Sequence, residues 1–139
     1  MSSRTKSRKM ALDAIFAADI RKINPELLLV VSAEEQQDRQ NQDEIVGYAK
    51  QIVSGVVASF AEIDDRIEAF SHTWSVDRMP AVDRAILRVA VWEILFNDEV
   101  PDAVAISEAV ALATQLSTDG SGTFVNGLLG AIAGTKTAR

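Results

Sequence analysis

Apolar residues recur at spacings of three and four along most of the chain, and strict alternation never persists, so the pattern predicts helices and no sheet. A first helix is expected from Ser3 to Lys22, with Ala11, Ile15 and Ala18 on one stripe and Leu12 and Phe16 beside it. Asn24-Pro25 ends it and can open a short second helix through Leu27 to Val31: Asn24 can cap the free N–H groups, and proline's missing donor costs nothing in a first turn. The polar stretch Ser32 to Gln42 reads as a loop. Ile45, Ala49, Ile52, Val53, Val56, Val57 and Phe60 form the stripe of a long amphipathic helix. Ile63, Ile67 and Phe70 continue the spacing to Ser71, as an extension or as a separate helix after a bend.

Ser71 to Met79 reads as a connection, and Pro80 opens a helix to Asn97 that is apolar nearly all round, which places it at the centre of the fold. After Pro101 another helix runs to Leu116, with Ile106, Ala109, Val110, Leu112, Ala113 and Leu116 turned inward. Ser117 to Gly122 is a turn, and a last helix carries Phe124, Val125, Leu128, Leu129 and Ile132. The expectation is an all-α fold of about seven helices in two halves, within one domain over residues 1–139.

Composition narrows the function classes. There is no cysteine and a single histidine, His72, so disulfides, zinc knuckles, thiol nucleophiles and Ser/His/Asp arrangements lack their parts. Neither a catalytic residue nor a metal nor a cofactor is expected. His72 lies in a polar connection with no partner motif; Asp64-Asp65 and Glu34-Glu35 are neighbours whose side chains diverge; Gly134-Thr135-Lys136-Thr137 lacks the first glycine and the following helix of a phosphate-binding loop. Trp92 reads as core, whereas Trp74 fits either core or a binding surface. The longest uncharged stretch, Gly120 to Thr135, contains five glycines, so no membrane span is expected, and no apolar block of a secretory signal follows the N-terminus. A cytoplasmic protein is the expectation.

The net charge of −6 is unevenly spread. Residues 1–22 carry six basic and two acidic side chains, which leaves −10 for the remainder. An acidic body repels nucleic acid unless a basic strip stands apart from it, and Arg4-Thr5-Lys6-Ser7-Arg8-Lys9 is such a strip. Residues 1–9 can be a mobile solvated segment, or they can order against RNA phosphates beside an aromatic platform. Phe124, just beyond a Gly/Ser turn, is either that platform or the first core residue of the last helix.

Three segments resemble the NusB family of bacterial transcription antitermination proteins. Asp83-Arg84-Ala85-Ile86-Leu87-Arg88-Val89-Ala90-Val91-Trp92-Glu93 resembles its central helix. Val100-Pro101 followed by Val104-Ala105-Ile106-Ser107-Glu108-Ala109-Val110 resembles its P-x-x-V-A-I-N-E-A, and Phe124-Val125-Asn126-Gly127-Leu128-Leu129 resembles its F-V-N-G-V-L. The resemblance implies two packed three-helix-bundle halves. It also implies binding to the boxA element of rRNA-operon transcripts with NusE, a small-subunit ribosomal protein, within an RNA polymerase antitermination complex, and no catalysis. By position it places RNA contacts on Arg4, Lys6, Arg8, Arg88 and Phe124, and NusE contacts on Phe16 and Asp83. The basic strip is sparser than the family's, Ser107 replaces an asparagine, and Asp119 stands in the loop before Phe124. A carboxylate near phosphates weakens binding, so dependence on NusE is expected.

Two other classes bear on the reading. One is a homodimeric interaction protein whose RNA surface is covered at rest, with the apolar first helix as a contact. The other is an rRNA cytosine methyltransferase, which carries a similar domain at its front; the chain's end at Arg139, without a cofactor-binding domain, argues against it.

Overall fold

The computed structural model describes residues 2–35 and 40–137. Among them are seven α-helices, one 3-10 turn and no strand. In chain order these are α1 (Ser3–Arg21), α2 (Pro25–Glu35), α3 (Gln42–Ala58), α4 (Phe60–Phe70), α5 (Ala81–Phe96), α6 (Asp102–Leu116) and α7 (Ser121–Thr137), with the 3-10 turn over Val76–Arg78 between α4 and α5. The chain divides into two compact units, one up to Ala58 and one from Ser59 onward.

In the first unit, α1 packs on both α2 and α3. Ser2 caps α1, its Oγ accepting from the Thr5 N–H at 3.0 Å. Residues Ser3–Lys9 are thus the first turns of a helix that runs on into the unit's core. The helix stops where Lys22 adopts a left-handed conformation, φ 60°. Asn24 Oδ1 accepts from the Glu26 N–H at 2.8 Å, and Pro25 is the first residue of α2, as the Asn-Pro pair predicts. That helix continues to Glu35, past the expected stop at Val31, because Ala33-Glu34-Glu35 suits a helix as well as a loop. The middle of the expected loop, residues 36–39, lies outside the described residues. Ile45, Ala49, Ile52, Val53 and Val56 of α3 are all at most 1% exposed, the predicted stripe turned inward, whereas Val57, expected on it, is exposed at the stripe's edge. Each such aliphatic side chain contributes roughly 1.5–3 kcal/mol by leaving water.

The stripe breaks at Ser59 (φ −117°, ψ 25°), so the continuation is the separate helix α4. Phe60, expected on the buried stripe of the long helix, instead opens α4 and is exposed, while Ile63 and Ile67 are buried. In the second unit α5 packs against α4, α6 and α7. Every residue from Ala85 to Ile94 is buried, Trp92 among them, which makes α5 the core helix its composition predicts. Pro80 and Pro101 each sit just before the first helical residue of α5 and α6, where no N–H is missed. Ala105, Ala109, Leu112 and Ala113 form the buried face of α6; Leu116, expected inside, is exposed. Val125, Leu128, Leu129 and Ile132 of α7 are buried as expected. Gly122 sets the α6–α7 approach, since a Cβ there would lie 3.0 Å from Thr114 Oγ1.

Candidate nucleic-acid interface

The basic strip occupies the first two turns of α1, and its cations have different surroundings. Ser7 is buried, its hydroxyl shared between the carbonyls of Ser3 at 2.9 Å and Ile45 at 2.8 Å, which draws α1 against the start of α3. Tyr48, one turn further along α3, lies under the arginines: the Arg4 guanidinium is 4.1 Å and that of Arg8 6.0 Å from the ring centroid. Arg8 is only 3% exposed, so it belongs to the packing of α1 on α3. Arg4 and Lys6 are half-exposed. Lys9 meets Asp13 one turn along at 2.8 Å, an exposed pair that is screened by water. No acidic residue stands in the first turn of α1 to answer the helix dipole, so cationic side chains and the partly positive helix end coincide.

Phe16 is half-buried on α1 beyond the strip. Phe124 is half-buried on the first turn of α7, so one part of its ring packs and another meets solvent. It follows the turn in which Gly120 takes φ +89°, a conformation that suits glycine, and its N–H donates to the Gly120 carbonyl at 3.0 Å. A shallow, mainly polar depression of about 420 Å³ lies along this turn, bordered by Thr114, Thr118, Asp119, Thr123 and Asn126.

The other two residues implied by the resemblance are turned inside the second unit. Asp83, 2% exposed, accepts from the hydroxyls of Ser117 and, at 3.0 Å, Ser121, and so ties the end of α6 and the start of α7 to α5. Arg88, 5% exposed, makes a two-point pair with Asp64, Nε to Oδ1 at 2.9 Å and Nη2 to Oδ2 at 2.8 Å. Its guanidinium lies 4.4 Å from the centroid of the Phe60 ring. Tyr48, Asp64 and Phe60 therefore organise the candidate cations, a role the sequence assigns to none of them: Asp64 reads there only as a diverging neighbour of Asp65 and Phe60 as a stripe residue. A usable signal exists for Asp64 alone: an arginine on an all-apolar helix needs a buried partner. His72 and Trp74 are exposed, and among the described residues no three His, Cys, Asp or Glu side chains gather as a metal site. No helix among the described residues is long and apolar enough to cross a membrane.

Comparison with known proteins agrees with this architecture. The NusB family model matches residues 5–134. The chain is 55% identical over 136 residues to the transcription antitermination protein NusB of Leifsonia xyli, covering 98% of this chain and 94% of that protein. It is 48% identical to the protein of the same name from a Nocardioides species, over 98% of this chain and 97% of that one. Among solved structures, T. maritima NusB superposes with a TM-score of 0.85 at 32% identity, over 96% of this chain and 92% of that one. A crystal structure of the antitermination factors NusB and NusE in complex with dsRNA matches at TM-score 0.85 and 30% identity, over 97% and 98% of the two chains. Helix order, the buried α5 segment and near full-length identity converge: the chain belongs to the NusB family.

Proposed function

We propose that this protein is a non-catalytic RNA-binding antitermination factor that engages the boxA element of rRNA-operon transcripts together with NusE and supports read-through by RNA polymerase. The observation that carries the reading is the coincidence, on the first turns of α1, of half-exposed Arg4 and Lys6 with an N-terminal helix end that lacks acids. A phosphate there answers both positive features at once. The structural relative solved with NusE and dsRNA supports the partner and the nucleic-acid class. RNA contacts are assigned to Arg4, Lys6 and Phe124 and the NusE contact to Phe16, while Arg8, Arg88 and Asp83 act by holding the two units in shape.

Fluorescence anisotropy with labelled boxA RNA and a scrambled control, with and without NusE, tests the reading. Tighter binding to boxA in the presence of NusE is expected, and equal affinity for both RNAs would overturn it. In the same assay Phe124→Ala should weaken boxA binding roughly fivefold or more, since base stacking on an aromatic is worth about 1–3 kcal/mol. A fully buried phenylalanine would instead cost about 3–5 kcal/mol of stability, so a large drop in melting temperature with unchanged RNA affinity returns Phe124 to the core.

Phe16 offers an apolar anchor on α1 with exposed Ile20 one turn on and Asp13 and Asp19 at i−3 and i+3, an aromatic of the type that dominates protein interfaces. Phe16→Asp should lose NusE while circular dichroism still reports a folded chain. Unchanged NusE affinity by calorimetry would remove Phe16 from the interface.

A further inference from the structure

Tyr48 is 6% exposed, so it offers a bound RNA almost no surface of its own. It nevertheless stands directly behind the basic strip. Arg4 and Arg8 are one turn apart and share a face of α1, and their guanidinium groups lie 4.1 and 6.0 Å from the Tyr48 ring centroid. Buried Ser7, between the two arginines in sequence, sets the register: it donates to the carbonyl of Ile45 at 2.8 Å, and Ile45 is one turn before Tyr48 on the buried face of α3. The packing of α1 on α3 therefore places the ring under Arg4.

How a cation is held decides what it can still do. Lys9 is held by Asp13 and Arg88 by Asp64, carboxylates that cancel charge and accept N–H donors. An aromatic face attracts a cation through its quadrupole, carries no net charge, and leaves the in-plane guanidinium N–H groups to other acceptors. An arginine confined over such a ring also has less side-chain freedom to lose when it meets a phosphate. Arg8 shares the ring at a greater distance and is 3% exposed, so the half-exposed Arg4 is the cation through which the ring can act on a ligand.

We propose that Tyr48 is a positioning residue for RNA: its ring holds the Arg4 guanidinium at the first turn of α1, ready for a phosphate, and so raises RNA affinity with no RNA contact of its own. The inference rests on the RNA reading above. A tyrosine that only filled space would be replaceable by an aliphatic side chain without effect on RNA.

Tyr48→Leu should weaken binding of boxA RNA about threefold or more, the scale of one lost cation–π contact, with helicity retained by circular dichroism. Tyr48→Phe keeps the ring and should restore the parent's affinity. In a double-mutant cycle Tyr48→Leu should add nothing to the loss caused by Arg4→Ala, because the ring acts through that side chain. Proton NMR of the protein alone should show the Arg4 Hδ resonances shifted by the ring in the parent and in Tyr48→Phe, and unshifted in Tyr48→Leu. If Tyr48→Leu does not fold, Tyr48→pentafluorophenylalanine replaces it, since it keeps the ring's shape and inverts the charge of its face; the same loss of affinity is expected. Parent-like affinity in a folded Tyr48→Leu or in the fluorinated variant, or losses that add in the cycle, overturns the inference. If Arg4→Ala weakens RNA binding and Tyr48→Leu does not, the positioning role alone fails. If Arg4→Ala leaves RNA affinity unchanged, the assignment of RNA to α1 fails and the positioning role falls with it.

Discussion

Asp64→Ala should destabilise the second unit by about 3 kcal/mol, among the largest effects of any single polar substitution in this chain, because it strands Arg88. Removing one partner of a buried ion pair costs about 3–5 kcal/mol, and the 22% exposure of the Asp64 side chain favours the low end. The remaining guanidinium keeps its contact with Phe60, but a ring face replaces neither of the two hydrogen bonds to carboxylate oxygens. Denaturant titration followed by circular dichroism measures the loss. Asp64→Ala/Arg88→Met should recover more than half of it, since an apolar pair of similar volume leaves no charge unpaired. A single variant within 0.5 kcal/mol of the parent would show that water already solvates Arg88 and that the pair is incidental.

The same pair shows where the sequence was and was not readable. Helix existence followed from spacing because α3, α5 and α7 bury the stripes that their apolar positions mark. The break at Ser59 did not, since no glycine or proline punctuates Ala58-Ser59-Phe60 and the apolar spacing runs on across it. A change of backbone direction over one residue rotates Phe60 out of the stripe without changing the pattern.

Among the site residues, Arg4, Lys6, Phe16 and Phe124 are half-buried and each meets solvent in part. Arg8, Asp83 and Arg88 do not, because which side of a helix a charge occupies depends on a neighbour: Tyr48 for Arg8, Asp64 for Arg88, and the two serines for Asp83. An α5 that is apolar nearly all round has little solvent face to offer, so the charges it carries are drawn inside and must be paired there. That inference was available from composition alone, and it separates charges buried within the fold from those that reach solvent.

The basic strip of α1 should therefore divide in two under substitution. Arg4→Glu/Lys6→Glu should weaken boxA RNA binding by tenfold or more, as a charge-assisted contact is worth about 1.5–3 kcal/mol and two are lost. Neutralising them instead, as Arg4→Ala/Lys6→Ala, should flatten the log–log salt dependence by roughly 0.7 for each single-strand phosphate contact given up. In both cases the melting temperature should fall only slightly, because neither side chain is buried and the contact of Arg4 with the Tyr48 ring at 4.1 Å is worth about 0.5–1 kcal/mol at a part-exposed site. Arg8→Ala should do the reverse. It removes a side chain 3% exposed from the α1–α3 contact beside Tyr48, so about 2 kcal/mol of stability should go, through lost stacking and lost packing of the arginine stem. The salt slope for RNA should stay unchanged wherever the variant is folded. A salt titration in which Arg8→Ala flattened the slope as much as Arg4→Ala/Lys6→Ala would mean that Arg8 leaves Tyr48 to reach a phosphate, and α1 would then have to shift on α3 when RNA binds.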